Sequence, residues 1–200
     1  MWRIEVREKS GVFDALGESV HKNILDLGFK AVTDVKVIQV YMLEGSAGES
    51  DMQTIGAQLL ADCVTQEFSC AQGPAPHYDH SDSGRHIVEI AYHPGVMDPV
   101  EESTLKGIRD LGIMEVTAVR TARQYHIYGR ISDDDIQVIV DKALANKLIQ
   151  HVVAEDSGET MSQAHAPDTR VEVVSVDLLQ ADDARLLKVS EKGQLFLNLD

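Results

Sequence analysis

Cysteine is scarce: Cys63 and Cys70 are the only two in 200 residues. Two thiols cannot form the disulfide framework of a small secreted protein, and their spacing fits no zinc motif. Reduced thiols in a cytoplasmic protein are the expectation. Positive charge is also low, with 18 Lys and Arg against 33 Asp and Glu and a net charge of −15. A nucleic-acid partner is excluded on that ground, because a phosphate backbone needs a basic surface. There is no apolar run long enough to span a membrane and no signal-peptide pattern after Met1. Gly-rich phosphate loops and a Gly-x-Ser-x-Gly elbow are missing as well, since Gly11 and Gly95 are single turn glycines.

What is present is an internal repeat. Tyr41 aligns with Tyr125 and Gly45 with Gly129, at one fixed offset of 84 positions (125 − 41). The same offset, without a gap, carries Glu5 onto Glu89, Asp14 onto Asp98, Asp26-Leu27-Gly28 onto Asp110-Leu111-Gly112, and Leu60-Ala61 onto Leu144-Ala145. Self-similarity of this kind decides architecture before any single residue does. Residues 1–70 and 86–154 form the two copies. Residues 71–85 (Gly, Pro, Ser, Asp without periodicity) and 155–169 read as linkers. Each copy is marginal in size alone, so the copies are expected to pack on each other.

Within a copy the pattern runs strand, helix, long strand, helix, strand. Arg3–Arg7 alternates apolar and polar residues as a half-buried strand does. Asp14 and Asp98 stand where helix caps belong. Pro99 sits where a missing N–H is harmless, and Glu101 is placed to complete a capping box. Leu16, Val20, Ile24 and Leu27 recur at helical spacing, as do Val100, Ile108 and Leu111, before the stop glycines Gly28 and Gly112. Val32–Gly45 and Val116–Gly129 are rich in Val, Ile, Thr and Tyr, and predict one long strand or a bent pair. Second helices follow over 50–62 and 132–146, the latter capped by Ser132 ahead of Asp133, Asp134 and Asp135; strands over 64–70 and 148–154 close the copies. The fold class is α+β: two tandem ferredoxin-like units, antiparallel sheets with the helices on one face.

Catalytic and metal chemistry find little support. His77, His80, His86 and His93 gather near the first linker with Asp79 and Asp82, but match no closed-site spacing. Neither cysteine has a basic neighbour at a helix start. Asp14/Asp98 and Asp26/Asp110 sit at helix ends, where capping and solvation account for them. The candidates for contact with a partner lie on the second long strand: Arg120, Arg123, Gln124, Tyr125 and Tyr128, since Arg and Tyr are the types that anchor interfaces. Their counterparts include Lys36, Gln39 and Val40, so the copies have diverged there.

After the second linker, residues 170–200 hold a strand pattern at Val171–Asp177, a helical one at Ala181–Lys192, and alternate apolar residues over Leu195–Asp200 with no terminating signal. The chain thus reads as a piece of a longer polypeptide. A natural gene product with an intact mass near 22.0 kDa would overturn that expectation.

The order Ile4-Glu-Val, Gly11-Val-x-Asp14-x-x-Gly17, Leu27-Gly28 and Val32-x-x-Val35 resembles the small PurS subunit of phosphoribosylformylglycinamidine synthase. That subunit has a lysine-glycine-valine-x-aspartate turn and an aspartate-valine-arginine strand. Here stand Lys9-Ser-Gly-Val, with Ser10 inserted, and Asp34-Val-Lys36, with Lys for Arg. Leu144-Ala-Asn146-x-Leu-Ile149 is similar to the subunit's leucine-leucine-alanine-asparagine run. Two fused copies resemble the amino-terminal region of the long PurL form, and residues 170–200 resemble the lead-in to its ATP-binding synthetase domain.

The resemblance implies a scaffold between synthetase and glutaminase that helps enclose the ammonia path. The enzyme would make formylglycinamidine ribonucleotide from its formylglycinamide precursor, glutamine and ATP with Mg²⁺. No cofactor is assigned to this region, no catalytic residue is carried over, and a homo-oligomer is left open. The competing expectation is a tandem regulatory module that binds a small ligand, since fold alone does not decide function.

Overall fold

The computed structural model describes residues 1–73, 84–153 and 182–193. The chain divides into two compact units, 1–164 and 165–200. The first contains both repeats. The first copy consists of β1 (Trp2–Glu8), α1 (Ala15–Asp26), β2 (Val32–Gly45), α2 (Glu49–Ile55) with a π-helical turn at Gly56–Leu60, and β3 (Gln66–Gln72). The second repeats it as β4 (Arg85–Tyr92), α3 (Pro99–Asp110), β5 (Val116–Gly129), α4 (Asp133–Ile139) with a π-helical turn at Val140–Leu144, and β6 (Gln150–Val152). In the second unit the described element is α5 (Asp183–Gly193). The tail patterns at Val171–Asp177 and Leu195–Asp200, and most of both linkers, lie outside the described residues.

The two copies share one sheet. Its six strands run β3-β1-β2-β5-β4-β6, every pairing antiparallel. The long strands are single and unbroken, 14 residues each, with register shifts only at their ends. β2 has β1 on one side and β5 on the other. Gln39 stands directly opposite Arg123, its own repeat counterpart. A pseudo-two-fold axis therefore passes between these two residues, and the repeat offset and the strand register are one quantity.

Local signals act as the sequence predicts at most helix ends. Asp14 accepts a hydrogen bond from the Gly17 N–H at 2.7 Å, and Ser132 with Asp135 forms a full capping box on α4. Asp98 caps α3 through the Val100 N–H at 2.8 Å, with Pro99 behind it. Glu101 departs from its expected part in a capping box, its carboxyl being engaged instead by the Thr121 N–H on β5.

The apolar stripe of α1 also differs from the spacing argument. Leu16 is 58% exposed and Leu27 41%, whereas Gly17 and Ile24 are the buried residues. Glycine lets the helix approach β2 so closely that a Cβ there would lie 2.3 Å from the Val35 carbonyl oxygen. That approach turns Leu16 outward.

Helices α1 to α4 cover one face of the sheet, and each of its two cores draws on both copies. Ile24 of α1 packs with Ile139, Val140 and Leu144 of the other copy. Met52 and Ile55 of α2 pack with Ile108 of α3. A single copy would expose half of each core, so this crossing makes the pair one cooperative unit. The opposite sheet face carries an apolar group of Ile38, Val40 and Ala122.

Candidate functional site

The middle of β5 is where the five sequence candidates fall, and strand alternation separates them. Tyr125 points to the helix side, within the core of Ile24 and Ile139. Arg123 shares that side and hydrogen-bonds the Tyr125 hydroxyl. Gln124 takes the opposite face and is fully buried. Arg120 and Tyr128 share its parity and are half-buried; Arg120 stands where β5 has no β4 neighbour, and there it also lines a cleft beside α3. The five candidates thus do not form one continuous face.

On the helix side the pseudo-axis is polar. Gln39 donates to the Ala122 carbonyl at 3.1 Å. Asp98 is buried and accepts a short hydrogen bond from the Thr121 hydroxyl. Burial raises the Tyr41 and Tyr125 hydroxyls above the ordinary phenol range. The Asp98 charge adds to this at Tyr41, and the Arg123 guanidinium opposes it at both. Both phenols therefore remain protonated donors at neutral pH.

On the other face a chain of buried polar groups crosses from one copy to the other. Arg3 is 2% exposed and Glu89 7%. Arg3 grips Glu89 with two bonds, Nη1 to Oε1 at 3.0 Å and Nη2 to Oε2 at 2.5 Å. Its Nε donates to Glu5 Oε1 at 2.7 Å. Glu5 and Glu89 are repeat counterparts, so one arginine serves both. Gln124 donates to Glu89 Oε2 at 3.0 Å, and His126 Nε2 lies 2.7 Å from Gln124 Oε1. With the Gln124 NH₂ committed to Glu89, its oxygen accepts, and His126 is the neutral Nε2–H donor. Sequence reasoning paired Glu5 with Glu89 but missed Arg3, whose counterpart is the apolar Ile87.

His126 is pushed down from 6.5 to about 4, chiefly by burial and then by the Arg85 charge, with Glu5 opposing and Arg7 adding. The unfolded chain therefore binds the His126 proton more readily than the folded one between those values. Stability is present above about pH 6.5 and is lost as pH falls through the window toward about 4. We expect the chemical-denaturation midpoint to drop across that window, and His126→Gln to flatten the drop. An unchanged slope in the variant assigns the drop to other groups.

No arrangement of nucleophile and base is evident among the described residues. Cys63 is exposed, and burial, with Glu49 second, raises the Cys70 thiol away from the reactive thiolate. Of the histidine cluster, His77 and His80 with Asp79 and Asp82 lie outside the described residues. His86 faces Asp133 at 3.8 Å, and His93 stacks on His151 with centroids 5.0 Å apart. Among the described residues no group of three or more His, Cys, Asp or Glu could hold a metal ion, and no helix is long and apolar enough to cross a membrane.

A tandem α+β pair that shares a sheet and a pseudo-two-fold is the class of protein that the fold defines. One protein-family model matches it: PurS, described as phosphoribosylformylglycinamidine (FGAM) synthase, over residues 1–72 and 85–157. The two segments follow the two repeats and cover well over half of the chain. The chain belongs to the PurS family, as a tandem PurS-like region, and its family role lies in FGAM synthase and purine biosynthesis. A comparison with curated proteins gave no match.

Proposed function

We propose that this chain is the scaffold of an FGAM synthase, holding the synthetase and glutaminase parts together and helping to enclose the path of ammonia between them. The observation that carries the proposal is the shared sheet with its pseudo-two-fold between Gln39 and Arg123. Two copies in one chain supply what two separate subunits would supply by association, at fixed stoichiometry and without a dimerisation equilibrium. The helix-side groups near that axis are hydrogen-bond donors and structural carboxylates rather than a reacting constellation. ATP, Mg²⁺ and the ribonucleotide substrate are handled by the synthetase, of the PurL type, and the chain acts in the cytoplasm without catalysing a step itself.

The test compares FGAM formation by synthetase and glutaminase with and without this region, supplied with either glutamine or ammonium. The scaffold reading expects glutamine-dependent synthesis to fall by at least about tenfold without it, while ammonium-dependent synthesis persists, because proximity of the two parts is what is lost. Equal rates with both nitrogen sources, region present or absent, would overturn it.

A further inference from the structure

One place where the two copies differ in chemistry lies beside the first helix of each. In the first copy the edge of β2 is closed. Asp14 accepts from the Val37 N–H at 2.9 Å, Asp34 Oδ1 from the Val35 N–H at 2.9 Å, and Gly17 lies against the Val35 carbonyl. Lys36 is drawn to Asp34 at 3.2 Å. In the second copy Glu101 replaces Gly17, Ala118 replaces Asp34, and Arg120 replaces Lys36. Glu101 carries a side chain where Gly17 has none, and Ala118 offers no carboxylate to the following N–H.

The strand edge is open there too. The last pairing of β4 with β5 is Ala91 with Ala122, so β5 from Val116 to Thr121 pairs with β2 alone among the described strands. The N–H groups of Val35 and Val37 point out of the β2–β5 ladder, and Val119 holds the equivalent position. A cleft of about 330 Å³ results, lined by Tyr92, Val96, Met97, Glu101, Val119 and Arg120. Glu101 is raised by its burial and then by Asp98, with Arg120 and the Thr121 N–H opposing. The cleft therefore holds a carboxyl and a guanidinium within each other's field, next to a strand edge and an apolar wall. Its volume is at the small end of ligand sites.

We propose that this cleft binds a free α-amino acid with an apolar side chain. The ligand carboxylate meets the Arg120 guanidinium and the Val119 N–H. Its ammonium meets the Glu101 carboxylate and the Val119 carbonyl, and its side chain lies against Val96, Met97 and Tyr92. A zwitterion is the class that uses both charges at once, since an anion alone faces Glu101 and a cation alone faces Arg120. The first copy cannot form the site, because Gly17 and Asp34 close it. The proposal goes beyond the scaffold reading and does not depend on it.

The experiment is titration of the 200-residue chain with L-leucine and L-methionine to about 10 mM, a range that captures weak small-ligand binding. Calorimetry and the backbone amide spectrum are followed together. The comparison ligands are 4-methylpentanoate and 3-methylbutylamine, which carry one charge each. We expect saturable binding of the amino acids, with amide shifts centred on Val119 and Arg120. Glu101→Gln, Arg120→Gln and each single-charge analogue should weaken binding by about tenfold or more, the loss of one charge-assisted hydrogen bond.

Absence of saturation with both amino acids overturns the proposal, as does equal binding of a single-charge analogue or undiminished binding in both variants. If a variant loses its folded spectrum, the wild-type shifts decide: a centre away from Val119 and Arg120 also overturns it.

Discussion

Glu89→Ala lowers the unfolding free energy of the tandem unit by about 3–5 kcal/mol, the range for removing one partner of a buried ion pair. The cost comes from what stays behind. Arg3 is almost inaccessible to water, and Glu89 takes two of its bonds. Glu5 would retain the Nε contact, so the guanidinium would be partly rather than wholly orphaned. Gln124, fully buried, would lose its acceptor as well, and with it the order of its bond to His126. Urea denaturation followed by far-UV circular dichroism measures the difference.

The paired replacement Arg3→Met with Glu89→Leu recovers only part of the loss: it removes the uncompensated guanidinium, but the Glu5 carboxylate loses its Arg3 contact and the buried Gln124 amide its Glu89 acceptor. A loss under about 1 kcal/mol for Glu89→Ala would place the pair in contact with water and remove the argument for a buried network.

The architecture was legible to the degree that it is written in local spacing. The repeat offset, the order of elements, the caps at Asp14, Asp98 and Ser132, and the turn glycines all depend on neighbours in sequence. The length of β2 was a further signal, since 14 residues exceed what the seven of β1 can pair. β5 pairs with β2 along its whole length on the edge away from β1, and that pairing merges two expected sheets into one.

Which helix packs on which was not legible. Hydrophobic periodicity shows that a helix has an apolar face but not which helix meets it, and the cores turn out to cross between copies. The same limit applies to the site. Arg123, Gln124 and Tyr125 are adjacent in sequence, so period-two alternation sends Gln124 to the face opposite the other two. Arg3 carried no mark at all, because its partner Glu89 is distant in the chain. The cleft beside α3 did leave a trace, in the exchange of Gly17 for Glu101 and of Asp34 for Ala118, which is legible only once the two copies are compared residue by residue.

Gly45→Ala has the other large expected effect, about 3–5 kcal/mol, and Gly129→Ala follows close behind. Two costs combine at each. Gly45 has φ +138° and Gly129 has φ +151°, a backbone region that L side chains rarely enter, at about 1–3 kcal/mol. A Cβ on Gly45 would also fall 1.9 Å from the Glu115 carbonyl oxygen, and one on Gly129 2.3 Å from that of Ala31, a backbone clash that rotamer changes cannot relieve. Forced overpacking adds about 1–3 kcal/mol.

Gly28→Ala is the control. Its φ is +100° and no atom lies within 4 Å of the added Cβ, so only the conformational cost of about 1–2 kcal/mol applies. Denaturation midpoints for the three variants separate clash from strain. The two costly glycines are repeat counterparts, and each ends its long strand where it passes the turn leading into the other copy's long strand. The Ser46 N–H bonds Glu115 O at 3.0 Å at one such crossing. A Gly45→Ala cost no larger than that of Gly28→Ala would mean that the crossing yields easily. The two copies would then behave as loosely joined domains, and the rigid pseudo-dimer on which the scaffold proposal rests would lose its footing.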